Sequence, residues 1–546
     1  MRLNKLSSLV FLVLLSSMCG LGFAQEGPDI NIEGGKIQGV ATDIPGVRVF
    51  KGIPYAADTA GENRFRGPQP VEPWTGVRVA DTWGDRAMQW ANSNPVGSFY
   101  GNEFYYDDVF MPPISEQGLN LNVFTPANGP DEKLPVYMWI HGGANAHGGA
   151  SEIEFWAPKL ADKGIVIVSV QYRLGVFGNL SLPEIEAESP NGIAGNQRLQ
   201  DLIAALHWIK NNISGFGGDP ASVTIGGQSA GATNTLTLLR SPLAKGLFQR
   251  AMISSTRPGI LGAVARDAHE VQSQNARALE DIFGKPMSLA DMREIPAEEF
   301  VTRAVGENNQ LLFYALRSAL GGPVIDDVSL TEESVDLTRP GAFDGIDILI
   351  GSTADERTPG GNPDEIMGTQ EYAAFMSQHY GPEWEQAYPA ADARQAFRLS
   401  LRASADLYHQ AALVSAEIII NQNEGANAYV YYFDNPPPGR DAEFYGSFHS
   451  SELWYFMNSL RDWPGQRPWT ELDYRMAETM STYLANFVKT GNPNGQGLPD
   501  WQPAKTGTEF IRFNEGYAQP LNSTPYPERD RLNRRVILET YDLESD

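Results

Sequence analysis

The chain has 546 residues, 42% of them hydrophobic, with 67 acidic against 41 basic side chains and a formal charge of −26. That length builds one large α/β domain or several ordinary ones, and so acidic a surface repels nucleic acid and anionic lipid. A single cysteine excludes a disulfide-stapled scaffold, so stability must come from a large buried core.

Residues 1–24 carry the marks of a secretory leader. Arg2 and Lys5 form the charged start, residues 9–15 the apolar stretch, and Gly22-Phe23-Ala24 the small-residue cleavage site. The apolar run is far short of the roughly 20 residues that span a bilayer. No later segment is long and apolar enough either, so stable membrane insertion is not expected. Cleavage after Ala24 removes Arg2, Lys5 and Cys19, leaving residues 25–546 with no thiol and a formal charge of −28. An exported, thiol-free chain of this size suits the bacterial periplasm or medium better than an animal secretion.

Residues 26–60 alternate apolar and polar positions (Ile30, Ile32, a Gly34-Gly35 turn, Ile37, Val40, Val47, Phe50), which predicts a small antiparallel meander. Uncharged β-branched and aromatic runs follow at 136–140, 165–172, 223–225 and 346–350, as parallel strands covered on both faces require. Helical patterns lie between them; Leu199, Leu202, Ile203, Leu206 and Ile209 share one face. Residues 428–433 are the last strong strand, and a helix through Met476 and Ala477 to Phe487 follows. Strands alternating with helices predict an open, doubly wound α/β sheet. With no internal repeat, long linker or composition break, residues 25–546 read as a single domain.

Gly227-Gln228-Ser229-Ala230-Gly231 sits between the strand at 223–225 and a helix running from Ala232 to Leu239. A serine in Gly-x-Ser-x-Gly at such a junction is a nucleophile elbow: only glycine's missing Cβ lets the flanking chain pass the turn. The following helix aims its free N–H groups at an oxygen that becomes negative beside the serine. Such a serine needs a base, a group to orient that base, and donors for the oxyanion. Of the seven histidines, His141, His147 and His207 precede the serine, while His269, His379 and His409 fall in helical patterns. His449 alone follows the last strand, in Gly446-Ser447-Phe448-His449. The strand at 346–350 leads into Asp355-Glu356, and spacing leaves these two acids equal candidates. The donors are expected from Ala230 and from His141-Gly142-Gly143-Ala144, directly after the strand at 136–140.

With these blocks in order, the chain resembles the type-B carboxylesterases, the cholinesterase-like branch of the α/β-hydrolases. The resemblance runs from about Ile30 to Pro503. It is carried by Phe50-Lys51-Gly52-Ile53-Pro54-Tyr55-Ala56, Leu121-Asn122-Val123-Phe124-Thr125-Pro126, Trp139-Ile140-His141-Gly142-Gly143-Ala144, the elbow, Ala354-Asp355-Glu356 and His449-Ser450-Ser451-Glu452. Tyr172-Arg173-Leu174-Gly175, Phe216-Gly217-Gly218-Asp219-Pro220 and Lys489-Thr490-Gly491-Asn492-Pro493-Asn494 add to it. It implies an α/β-hydrolase fold, a catalytic set of Ser229, Glu356 and His449, and oxyanion donors at Gly143, Ala144 and Ala230, with Gly142 as the turn residue. It also implies a serine hydrolase of small to medium organic esters that needs no metal or cofactor; oligomeric state is left open. The other readings are a non-catalytic binding or adhesion protein, and an amidase or acyltransferase using the same residues.

The chain departs from the family pattern in several places. Gln228 stands where the family has glutamate, removing a negative charge near His449; Glu452 falls on a second buried acid that partly compensates. The cysteines that close the family's first long loop fall on Ala87 and Gly118, so the aromatic-rich loop 88–117 is expected to move and to shape substrate access. Arg198 and Leu202 replace a glycine and a glutamine. Asn145 and Trp454 are candidate pocket-lining residues.

Overall fold

The computed structural model describes residues 29–543, apart from 92, 96, 257–258, 263–264 and 306–321. The leader assigned to residues 1–24 lies outside the described residues. Eleven strands form the central sheet: β1 Val40–Ala41, β2 Arg48–Pro54, β3 Asn120–Thr125, β4 Leu134–Ile140, β5 Val166–Val170, β6 Gly218–Gln228, β7 Arg250–Ser254, β8 Asp347–Thr353, β9 Ala428–Phe433, β10 Phe510–Asn514 and β11 Tyr517–Leu521. Their order across the sheet is β11-β10-β9-β8-β7-β6-β4-β5-β3-β2-β1. From β5 to β10 every neighbouring pair is parallel; β1, β2, β3 and β11 run antiparallel at the two edges.

The burial of the parallel strands follows from their composition. All residues of β5 and β9 are buried, which suits unbroken Val, Ile and Tyr runs covered on both faces. Alternation then divides the core. Val136, Met138 and Ile140 of β4 pack with Leu199, Leu206 and Leu236 on one face. Tyr137 and Trp139 face the opposite way, onto Met476, Met480 and Leu484. The first face is covered by α1 Gln197–Asn212, α2 Ala230–Arg240 and α3 Ala393–Gln422, and the second by α4 Glu471–Thr490. Each fully buried Leu or Met side chain here contributes about 1.5–3 kcal/mol. The sheet is the doubly wound layer that alternating strands and helices required.

The N-terminal meander is antiparallel where it pairs, but it divides between two sheets. Ile30–Ile32 and Gly35–Gln38 form a hairpin that Val77–Val79 joins in parallel. β1 and β2 instead extend the central sheet through β3. Nothing in residues 26–60 signals the second partner, because Val77–Val79 lies outside that window and is exposed.

Register places the functional loops on one edge. Ile140 of β4 pairs with Gly227 of β6 and with Val170 of β5. Gln228 pairs with Ser254 of β7, and Ser254 with Gly351 of β8. The chain therefore leaves β4, β6, β7 and β8 at neighbouring points along their C-terminal ends.

Candidate active site

β6 ends at Gln228 and α2 begins at Ala230, which leaves Ser229 alone to make the turn, at φ 57° and ψ −119°. Its N–H donates to the Ser254 carbonyl at 2.9 Å, and its carbonyl accepts from Thr233 N–H at 3.0 Å. The flanking glycines are steric requirements. A Cβ on Gly231 would lie 2.0 Å from the Ile140 carbonyl oxygen, and one on Gly227 2.3 Å from the Gly231 backbone. A non-glycine residue held in so sparsely populated a conformation persists only where surrounding contacts fix it.

The acid comes from the end of β8. Glu356 is buried; one carboxylate oxygen accepts Thr353 N–H at 2.9 Å and the other accepts His449 Nδ1–H. Asp355 is turned elsewhere, accepting Ser447 N–H at 3.0 Å and pairing with Arg402 at 3.0 Å. Its backbone also bridges to the loop that carries His449. Between the two acids that spacing left open, the structure brings Glu356 to the imidazole and gives Asp355 the task of fastening the loop.

With Nδ1 donating to Glu356, Nε2 is left as the acceptor, and the Gln228 amide donates to it at 3.1 Å. Among the described residues, Ser229 and His449 make no direct hydrogen bond, although both line the same cavity. Burial acts to lower the His449 pKa; the Glu356 charge and hydrogen bond, with the Glu452 charge, outweigh it and hold it above the ordinary 6.5. Glu452 is fully buried, and one of its oxygens accepts from Ser254 Oγ at 2.7 Å and Ser255 Oγ at 2.8 Å. Burial first, then the Glu356 charge, push its carboxyl up to about 7. Through Ser254 it ties the base loop to the strand that holds the Ser229 N–H.

The loop after β4 reverses in an unusual way. Positive φ falls on Gly143 (93°), Ala144 (58°) and Asn145 (58°), and Gly142 is not among these residues. The expectation that Gly142 makes the turn is corrected: a Cβ there would sit 3.1 Å from both the Gln228 carbonyl and side-chain oxygens, so Gly142 gives clearance beneath the elbow. Gly143 makes the turn, and its own missing Cβ would otherwise meet the His147 carbonyl at 2.0 Å. Among the described residues the N–H groups of Gly143 and Ala144 have no protein acceptor. Ala230 contributes the first N–H of α2, which has no acceptor within the helix.

These groups open on one cavity of about 1030 Å³, whose wall includes Gly143, Ala144, Gln228, Ser229, Ala230, Glu356 and His449. Asn145 is on that wall, accepting from the Asn234 amide at 2.8 Å. Trp454 is not. It is 2% exposed and stacks on Phe104 at 5.6 Å, so its place in the pocket lining is corrected to core packing. Sequence reasoning missed Arg357 and the Glu152–Glu154 pair, which also face the cavity. Burial, then the adjacent Glu152 charge, push the Glu154 carboxyl well above its ordinary value. Neither feature has a local signature; only the fold brings them to the wall. Among the described residues no group of three or more metal-ligating side chains occurs.

A hydroxyl, an imidazole backed by a carboxylate, and unpaired N–H donors around one cavity are the parts that acyl transfer requires. Residues 26–526 match the model of the carboxylesterase family. The chain belongs to the carboxylesterase family. This esterase is 30% identical to para-nitrobenzyl esterase of Bacillus subtilis over 480 residues, 85% of this chain and 90% of that one. It is 33% identical to fumonisin B1 esterase of Sphingopyxis macrogoltabida over 361 residues, which span 66% of this chain and 62% of that protein's length. Among solved structures, a thermophilic PNB esterase superposes with a TM-score of 0.73 at 28% identity, covering 92% of this chain and 99% of its own. A Geobacillus stearothermophilus carboxylesterase gives 0.71 at 30% identity over the same shares. The esterase has the α/β-hydrolase fold of these enzymes and is a serine carboxylic-ester hydrolase.

Proposed function

We propose that Ser229 is the nucleophile of this esterase, His449 its general base and Glu356 the group that orients the base. The observation that carries this reading is the His449–Glu356 hydrogen bond, which leaves Nε2 as an acceptor in the cavity that the strained Ser229 also lines. In the reaction, Nε2 exchanges the Gln228 amide for Ser229 Oγ and takes its proton as Oγ attacks the ester carbonyl. Adjacent residues of one chain present both partners, so a ring rotation suffices; hydrogen bonds of this kind tighten on substrate binding. Gly143, Ala144 and Ala230 N–H groups receive the oxyanion. The alcohol departs with the proton from His449, leaving an acyl-serine. Water then gives its proton to His449, attacks the acyl carbon and releases the acid, and Ser229 regains its hydrogen.

Similarity to para-nitrobenzyl and PNB esterases supports benzyl esters as first substrates. Replacing Ser229 with alanine is expected to lower p-nitrophenyl acetate turnover by about 10⁴-fold or more. Retention of most of the activity would overturn the assignment. We further propose that residues 1–24 are removed on export, a reading supported by the leader pattern. N-terminal sequencing of protein recovered from periplasm or medium should begin at Gln25; an intact cytoplasmic chain contradicts export.

A further inference from the structure

The N–H donors around the cavity come from two separate parts of the fold. Gly143 and Ala144 lie in the loop after β4, whereas Ala230 opens α2 after β6. They can act on one oxygen only if that loop and that helix keep a fixed separation. Gly143, Ala144 and Asn145 all have positive φ, and two of the three are not glycine. Such a run persists only where surrounding contacts fix it.

The loop sets part of its own shape. The Gly143 carbonyl accepts the N–H groups of Ala146 and His147, each at 3.0 Å. Carbonyl and N–H point opposite ways across a trans peptide, so Ala144 N–H is turned away from that pair. The Asn145 carbonyl accepts Gly175 N–H at 2.7 Å, which ties the loop to the segment after β5. Neither contact reaches α2.

The Asn145 side chain does. Its Oδ1 accepts the Asn234 amide at 2.8 Å. Asn234 is buried on α2, about one turn beyond Ala230 on the same rigid element. Asparagine suits position 145 twice over: it tolerates left-handed backbone, and it carries the acceptor that Asn234 meets. The Asn234 amide also serves the Tyr172 hydroxyl, which donates to the His141 carbonyl at 2.6 Å, just before the loop.

We propose that Asn145 and Asn234 are positioning residues for ester hydrolysis: their hydrogen bond sets the donors of the β4 loop against the donor that heads α2. The inference rests on these N–H groups being the ones that receive the oxyanion. Neither side chain needs to touch the ester.

Benzyl trifluoromethyl ketone is the probe. Ser229 Oγ adds to its carbonyl carbon, the Oγ proton passes to His449, and the carbonyl oxygen becomes an oxyanion. The corresponding alcohol forms no adduct and reports on the rest of the cavity. The unaltered enzyme should bind the ketone about a hundredfold more tightly than the alcohol, or better. Asn234→Ala and Asn145→Gly should each weaken ketone binding about tenfold, the effect of one lost hydrogen bond in a buried site. Turnover of p-nitrophenyl acetate should fall in kcat by a similar factor, while KM and alcohol affinity stay within about twofold. Asn145→Gly removes the acceptor yet keeps a φ of 58° accessible. The losses should not multiply: the double variant should be no weaker than the worse single one. Asn145 is only half-buried, so its variant carries the test if Asn234→Ala does not fold. Ketone affinity and kcat unmoved in Asn145→Gly, equal weakening of ketone and alcohol, or losses that multiply in the double variant would overturn the proposal. If the unaltered enzyme binds the ketone no better than the alcohol, the acyl-transfer reading fails instead.

Discussion

In the proposed mechanism, the position before Ser229 sets how ready His449 is to act as base. Gln228 donates an amide hydrogen to His449 Nε2 at 3.1 Å, which stabilises the neutral ring and occupies the atom that must take the Ser229 proton. Gln228→Glu replaces that donor with a negative charge, which favours the imidazolium and raises the His449 pKa further. Because only the neutral ring acts as base, the acid limb of the kcat/KM–pH profile should move to higher pH; an unmoved limb would contradict the role given to Gln228. The Glu452 charge pushes the same way, so Glu452→Gln should move that limb to lower pH. Sequence alone singled out the serine and the histidine as candidates by order and position, since one elbow and one late loop histidine were available. It could not choose between Asp355 and Glu356, because both follow the same strand, and only side-chain direction separates them. Family resemblance chose Glu356, the acid that the structure brings to His449.

At the scale of elements, the elbow depends on two backbone approaches that admit no side chain. Gly231→Ala would place a methyl 2.0 Å from the Ile140 carbonyl, where rigid backbone in β4 cannot yield. The variant should lose several degrees of melting temperature and nearly all esterase activity; a normal melting curve would show that α2 can move aside. The loop expected to move because its staple is lost is anchored by charge. Ala87 and Gly118 do come together, with a Cβ on Gly118 falling 3.1 Å from the Ala87 Cβ. In the middle of the loop, Glu103 pairs with Arg467 at 2.9 Å, both almost fully buried, and with Arg440 at 3.1 Å. Phe99 packs edge-on against Phe448 beside the base. Glu103→Ala leaves Arg467 buried without its partner and should cost about 3–5 kcal/mol in denaturant unfolding. It should also raise KM, because Phe99, Tyr100, Phe104 and Tyr105 line the cavity. An ion pair across more than three hundred residues leaves no trace in local sequence, so this anchor was not legible there.

For the whole molecule, the parallel centre of the sheet was legible because its strands are uncharged and unbroken. The edges were not. β7 opens on Arg250 and β10 contains Arg512, so neither reads as a buried run, although both pair in parallel with the centre. A formal charge of −26 spread over the surface also opposes compaction. Raising sodium chloride from about 10 mM to about 0.5 M shortens the screening length from roughly 30 Å to below 8 Å and should raise the melting temperature; a fall would place the main electrostatic effect in attractive ion pairs instead. The account rests on Ser229 being the reactive atom, and covalent labelling tests this most directly. After treatment with a fluorophosphonate, intact-mass measurement and peptide mapping should show one adduct, on the peptide containing Ser229, and His449→Ala should abolish it. An unmodified chain, or a label on any other residue, would contradict the account.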